Sequence, residues 1–388
     1  MRTAPHLHGS RTDSISDGLP ENWFRPGHSR VYHYSNDQRA APLWYHDHAL
    51  GITRLNIYAG LSGLYFLRDD QELRLDLPSG DCEVPLVLQD RTLDERGQLL
   101  YAPTDDNGKV LPQGIWGPQF FGELAVINGS VYPYLSVEPR SYRLRILNAA
   151  NSRFFRLYFN LASKATDVPS LITFNQIGGD GGLLSAPATM QQLLLAPAER
   201  ADLIVDFSEL AGQTVTLMND ASAPYPGWGL LHPIHPPLHE LMQFHVALPL
   251  SPKIGKFDFS SFLAIRRIDA TESVMTRDFV LRDCTEQPTP GQAGGATSLC
   301  NPTRPGMLIN GIGYDAPVSE FPKLNSTEKW RFINTTDDAH PIHLHLVQFP
   351  ILERQGFNAA AFAKGQLQFA GPVRQPPSGF WSADFGRH

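Results

Sequence analysis

Two segments of the 388-residue chain repeat one another, and a long internal repeat restricts the fold more than any local propensity does. Each opens on Ile-Asn-Gly, at Ile127 and at Ile309, and each has a tyrosine three residues after the glycine, Tyr132 and Tyr314. A strand-like run then ends in Asn148 in the first copy and Asn334 in the second. Asn148 lies 20 residues beyond Asn128 and Asn334 lies 24 beyond Asn310, so the second copy carries an insertion of four residues. Two domains therefore share one architecture. Six residues past the closing asparagine the first copy places Phe154 and the second His340. A histidine in that slot is not a requirement of the fold, which shifts the reading of His340 from structure toward function.

Short runs such as EVPLVLQD, SYRLRILNA, FFRLYFN, ADLIVDF, TVTLMND, LMQFHVAL, EKWRFIN and HLHLVQFPILE alternate or are continuously apolar, and turn residues bound them. Thirty-two glycines and 32 prolines punctuate them, and helical periodicity is nowhere sustained. The expected fold class is all-β, built from successive antiparallel Greek-key sandwiches.

Composition excludes some partners. With 32 Lys and Arg against 39 Asp and Glu, the net charge is −7, and no basic stripe could track a phosphate backbone. Apolar runs stop short of the roughly 20 residues that cross a bilayer, so neither nucleic acid nor membrane is expected as a partner. The start, MRTAPHLHGS, has no apolar signal core, which leaves the compartment open. Cys284 and Cys300 bracket a loop that one disulfide could close, and Cys82 stands apart.

Fourteen histidines in this length give about half of one His-x-His by simple counting, and the chain has three: His6/His8, His46/His48 and His343/His345. In extended chain, side chains two apart share a side, with Cα atoms roughly 6.5–7 Å apart, so each pair can serve one metal or two neighbouring ones. His340 has the opposite parity to His343 and His345. Two sites joined by one short strand are the expectation. Imidazoles without carboxylates favour copper or zinc over magnesium or calcium, with copper highest in affinity. A further cluster, His232, His235 and His239, lies in a proline-rich stretch and reads as a surface loop.

The motifs HLHG, WYHDHALGITRLNIYAGLSGLYFLRD and HPIHLHL resemble the first three copper motifs of the multicopper oxidases, in wording nearest the bacterial spore-coat laccases and bilirubin oxidases. The likeness extends from about His6 to about Pro377. It implies cupredoxin-like domains, a mononuclear blue copper that takes electrons from a small aromatic donor, and a trinuclear cluster that reduces dioxygen to water. By that resemblance His340 is a ligand of the blue copper, and His6 and His343 hold the isolated copper of the cluster. His8, His46, His48 and His345 then belong to the coupled pair. Asp17 matches an acidic residue that assists proton delivery near the cluster, with a solvated loop aspartate as the alternative. Trp44 and Tyr45 read as packing residues, and Asp47 points away from the ligands by strand alternation.

The family's fourth motif, His-Cys-His with a following axial Met, has no counterpart in this sequence, and none of the three cysteines adjoins a histidine. The expected division is a partial cupredoxin domain over 1–70, a copper-free one over 76–250 and a partial one over 260–388. A truncated gene or fragment is one explanation. Completion of both end domains by a second chain or an exchanged segment is the other. The function expected is a copper-dependent oxidoreductase, with a non-enzymatic copper-binding or scaffold protein as the alternative. Extracellular, periplasmic or spore-associated locations are compatible with the resemblance.

Overall fold

The structure is a computed structural model that describes residues 1–102, 119–161, 170–226, 235, 237–252, 262, 268–283, 307–314 and 316–374. It forms two compact units, Met1–Ile265 with Pro341–Ile351, and Arg266–His340 with Leu352–Pro376. Strands dominate both, as the turn-bounded runs require. No helix among the described residues is long and apolar enough to cross a membrane.

The first unit opens on an antiparallel sheet, β1 (Pro5–His8), β2 (Ala41–Asp47) and β3 (Ser62–Leu67), with β2 in the centre. Alternation divides its side chains. Leu7, Ala41, Leu43 and Leu67 close one apolar cluster, while Trp44 packs with Leu147 and Ala149. His6 pairs across the ladder with His46, and His8 with Trp44. Opposite residues of an antiparallel pair present their side chains on the same face, so this register gathers imidazoles from two distant segments.

The larger part of this unit is a sandwich of β4 (Glu83–Arg91), β5 (Leu124–Ile127), β6 (Ser130–Val131), β7 (Tyr134–Val137), β8 (Ser141–Asn148), β9 (Phe155–Asn160), β10 (Leu171–Ile172), β11 (Phe174–Gly179), β12 (Gly182–Met190), β13 (Leu193–Leu195), β14 (Arg200–Asp206), β15 (Thr214–Asn219) and β16 (Glu240–Val246). One sheet runs β12-β11-β14-β8-β4-β5-β6. The other runs β10-β9-β15-β16-β7, with β13 paired to β9. The pairs β4/β8 and β7/β16 are parallel, so their connections leave the sheet and return, as in Greek keys. Leu86, Leu144, Ile146 and Leu203 from one sheet meet Phe159, Leu217 and Phe244 from the other in a single core, which also holds the free, buried Cys82. Cys284 and Cys300 lie outside the described residues.

Strand β8 is buried on both faces. Tyr142, Leu144 and Ile146 enter the core, and Arg143 and Arg145 point the other way into an ionic network. Arg143 grips Asp202 with two nitrogens, at 2.9 and 2.5 Å, and donates to Glu72 Oε1 at 2.6 Å. Arg145 donates to Glu83 at 2.9 Å, and Arg68 to the same carboxylate at 2.7 Å. Glu72 lies on a short helix, α1 (Asp70–Leu73), whose N-cap Asp69 accepts from Glu72 N at 2.8 Å and from Ala40 N at 2.9 Å. Cap and network together tie the end of the first sheet to the sandwich.

In the second unit β17 (Ser273–Asp283) pairs antiparallel with β18 (Met307–Ile309) and parallel with β19 (Thr327–Asn334). This reproduces β4 with β5 and β8, so the sequence repeat is a repeat of topology. Its asparagines explain why it is visible in sequence. Asn128 and Asn310 both sit at positive φ, 50° and 54°. Their Oδ1 atoms accept from Val87 N and Val280 N, each at 2.8 Å. Asn148 and Asn334 accept from the backbone two residues on, both at 3.0 Å. Each side chain replaces a missing backbone partner, which a hydrophobic residue cannot do.

One expectation is corrected. HLHLVQFPILE does not form a strand, and the next one, β20 (Arg354–Phe357), begins only at Arg354 and pairs with β21 (Phe369–Arg374). Pro341 and Pro350 offer no N–H, and Leu346 takes φ 73°, so an unbroken ladder over these residues is not available. The short strand expected to join two copper sites is irregular chain instead.

Candidate metal centre

Within the first unit, six histidines from three distant segments form one cluster. His6 stacks on His345 with ring centroids 4.1 Å apart, and His8 on His343 at 3.6 Å. His46 lies 5.4 Å and His48 5.2 Å from His6, and His48 lies 5.1 Å from His345. Each His-x-His pair thus delivers both rings to the same place. Two triads, His6/His8/His46 and His6/His343/His345, bring one ligating atom per residue within 4.8 Å of one another. His340 belongs to the second unit, where its Nε2 lies 2.6 Å from Thr336 Oγ1.

The backbone sets the orientation of several rings. His6 Nδ1 lies 2.6 Å from the Asp17 carbonyl and His46 Nδ1 2.8 Å from its neighbour's carbonyl at Asp47, so each Nδ1 carries the proton and donates it. In both rings Nε2 is then the free lone pair. Asp17 is buried, with Oδ2 at 2.7 Å from His345 Nδ1 and Oδ1 at 3.2 Å from His6 Nδ1. Gly18 makes this approach possible: at φ 73°, a Cβ there would sit 2.0 Å from the Pro5 carbonyl oxygen. Asp47 turns away from the rings, accepting from Ala4 N at 2.8 Å and Ala49 N at 3.1 Å. Trp44 packs on His46 at 4.3 Å and on His8 at 5.3 Å.

The electrostatics favour neutral imidazole. Burial, with a smaller backbone hydrogen bond opposing it, pushes His46 down to about 3. Burial and the charges of His6 and His345 lower His48 to about 4. His8 is pushed down by burial, then by His343 and Arg200. His343 falls to about 2, through desolvation of the ring and then His345 and His6; part of the residue is exposed, but its ring lies against His8. Burial raises Asp17, but hydrogen bonds from His345 and His6 outweigh it and hold the carboxyl well below the usual range.

The donor set fits a metal ion. His48 Nδ1 is buried without a hydrogen-bond partner, and two nitrogen pairs, His6 Nε2 with His343 Nε2 and His8 Nδ1 with His46 Nε2, face each other at 3.4 Å. That separation is long for a hydrogen bond. It matches two nitrogens sharing a tetrahedral ion, roughly 3.3–3.4 Å for bonds of about 2.0–2.1 Å. Neutral imidazoles without carboxylate in the ligating set suit copper or zinc.

Of the proline-rich histidines, His235 rests against Phe121 at 4.6 Å and His239 is exposed, while His232 lies outside the described residues. Sequence reasoning missed Arg200, whose charge acts on His8 and His343. Its only signal is a charged pair, Glu199-Arg200, at the head of an apolar strand.

Two family models described as multicopper oxidase match residues 2–72 and 287–376. A laccase of Bacillus subtilis is 39% identical over 97% of this chain and 70% of its own length. A multicopper oxidase of Arabidopsis thaliana is 34% identical over 92% of this chain and 58% of its own. A variant multicopper oxidase of Aquifex aeolicus matches with TM-score 0.70 and 26% identity, over 97% of this chain and 76% of its own. A laccase structure from Pediococcus acidilactici matches with TM-score 0.68 and 25% identity, over 97% and 70%. Sequence likeness over nearly the whole chain, a fold of shared topology and three paired-histidine motifs meeting in one cluster agree: the chain belongs to the multicopper oxidase family.

Proposed function

We propose that the protein is a copper-dependent oxidase of laccase type, which couples one-electron oxidation of small phenolic or similar aromatic donors to reduction of dioxygen. Four donors then supply four electrons, and with four protons one dioxygen becomes two waters. The observation that carries this reading is the convergence of six imidazoles, at least four of them held neutral, from three segments of which the first and last stand 337 residues apart at His6 and His343. His6, His8, His46, His48, His343 and His345 would hold the cluster copper, and His340 is proposed as a ligand of the electron-entry copper. Bound copper supplies the one-electron redox chemistry that a closed-shell metal such as zinc cannot.

The chain's own groups perform the remaining tasks. Asp17 keeps the His6 and His345 rings turned so that Nε2 of each faces inward, and its carboxylate is the nearest acidic group for passing protons to the site. Trp44 covers the His8 and His46 rings and excludes water from that side. We also propose the division 1–70, 76–250 and 260–388 as the domain plan.

The test is copper stoichiometry and the visible spectrum of the purified chain, with oxygen uptake during oxidation of a phenolic dye. Turnover lost in His343→Ala supports the proposal. Copper bound without turnover would instead leave a copper-binding protein, and absence of copper binding would remove both readings.

A further inference from the structure

Arg200 heads β14 in the sandwich, yet it serves the first sheet. Its side chain is 2% exposed, and Nε donates to the Pro42 carbonyl of β2 at 2.9 Å. Nη1 donates to the Ala198 carbonyl at 2.8 Å and lies 3.0 Å from Asp180 Oδ1. Among the described residues Nη2 has the Asp180 carbonyl at 3.4 Å, and it lies beside the chain next to His8: a Cβ built on Gly9 would lie 2.9 Å from it. Gly9, at φ 86°, leaves the guanidinium this room. A buried, permanently charged group therefore sits against the backbone that carries one of the clustered imidazoles. Its field reaches the rings of both His8 and His343.

We infer that Arg200 is a positioning residue whose buried positive charge biases metal held at His8 and His343 toward the cuprous state. The inference rests on the reading of the cluster as a copper site. The physical argument is a difference of one charge. A fixed cation opposes Cu(II) more than Cu(I), and in an interior of low dielectric, away from mobile ions, little screens that difference. Asp180 offsets part of the effect from the Nη1 side, while Nη2 lies beside Gly9, the residue that follows His8. The arginine fork also fixes where the charge lies, because three acceptors on three segments define its plane.

Competition titrations with cuprous- and cupric-selective chelators measure the two affinities separately, on the full chain and without reference to turnover. Arg200→Gln should lower the Cu(I)-to-Cu(II) affinity ratio about tenfold, equivalent to about 59 mV for one electron. Arg200→Lys, which keeps the charge, should restore most of the ratio. Asp180→Asn removes the opposing charge while keeping an acceptor oxygen, and should move the ratio the other way. Two variants that only damaged packing would not shift it in opposite senses. Equal shifts in one direction, an unchanged ratio, or a lysine variant that behaves like glutamine would overturn the inference. If Arg200→Gln does not fold by circular dichroism, the sign of the Asp180→Asn shift decides. Copper binding by the unsubstituted chain is measured first, so failure of the copper reading is distinguished from failure of the arginine's role.

Discussion

Asp17 Oδ2 and His345 Nδ1 lie 2.7 Å apart although 328 residues separate them in sequence. The same aspartate receives His6 Nδ1–H at its backbone carbonyl, so one residue orients rings from the first and the third histidine pair. Orientation of this kind is what lets an imidazole ligate through a defined nitrogen, and partners of ligating histidines are typically worth about 10–100-fold in metal affinity.

Asp17→Ala is accordingly expected to weaken copper binding by about 10–100-fold, with the overall fold retained by circular dichroism. Asp17→Asn keeps an acceptor for His345 and should cost less affinity, while losing the carboxylate proposed to pass protons to the site. Competition titration gives the first quantity and steady-state turnover the second. Wild-type affinity in the alanine variant would show that the contact is incidental.

Stability of the copper-free chain should fall as pH drops below about 6.5. His46 and His48 titrate at about 3 and about 4 in the folded chain, below the value of an unfolded histidine. Between those limits the unfolded state binds more protons, so unfolding free energy rises with pH and declines on acidification. For His46 alone the loss from pH 6.5 to 5 is about 2 kcal/mol. Denaturant unfolding at the two pH values measures it, and saturating copper should raise stability at both, least at the lower pH. A flat pH profile would mean that these rings are solvated.

Breaking the network beneath β8 should destabilise the first unit without touching the histidines. Arg143→Ala removes the closest cation from buried Asp202 and Glu72 and leaves them only the longer contacts to Arg145 and Arg68, a loss of up to about 3–5 kcal/mol. Replacement of Arg143 and Asp202 together by apolar residues of similar volume should recover much of that loss. Urea unfolding of Arg143→Ala, of Asp202→Ala, of the double replacement and of the parent gives the coupling directly. Additive losses would argue that the pair is not energetically linked.

Much of this protein was legible in its sequence because the controlling interactions are local. Turn-bounded alternating runs specify strands, and the asparagines at 128, 148, 310 and 334 mark the repeat because each bonds to backbone a few residues away or across one ladder. The His6/His8 pair on β1 is read the same way, since a strand places residues two apart on one side whatever lies beyond it. Tertiary structure decided the rest. It brings the pair at 343 and 345 onto the pair at 6 and 8, inserts Asp17 between them through the space left at Gly18, and presses Arg200 against Gly9. It also leaves 341–353 as irregular chain where an apolar pattern alone reads as strand. Periodicity along a segment says which side a residue takes. Which surfaces then face each other depends on packing between segments hundreds of residues apart, and no short stretch of sequence contains that information.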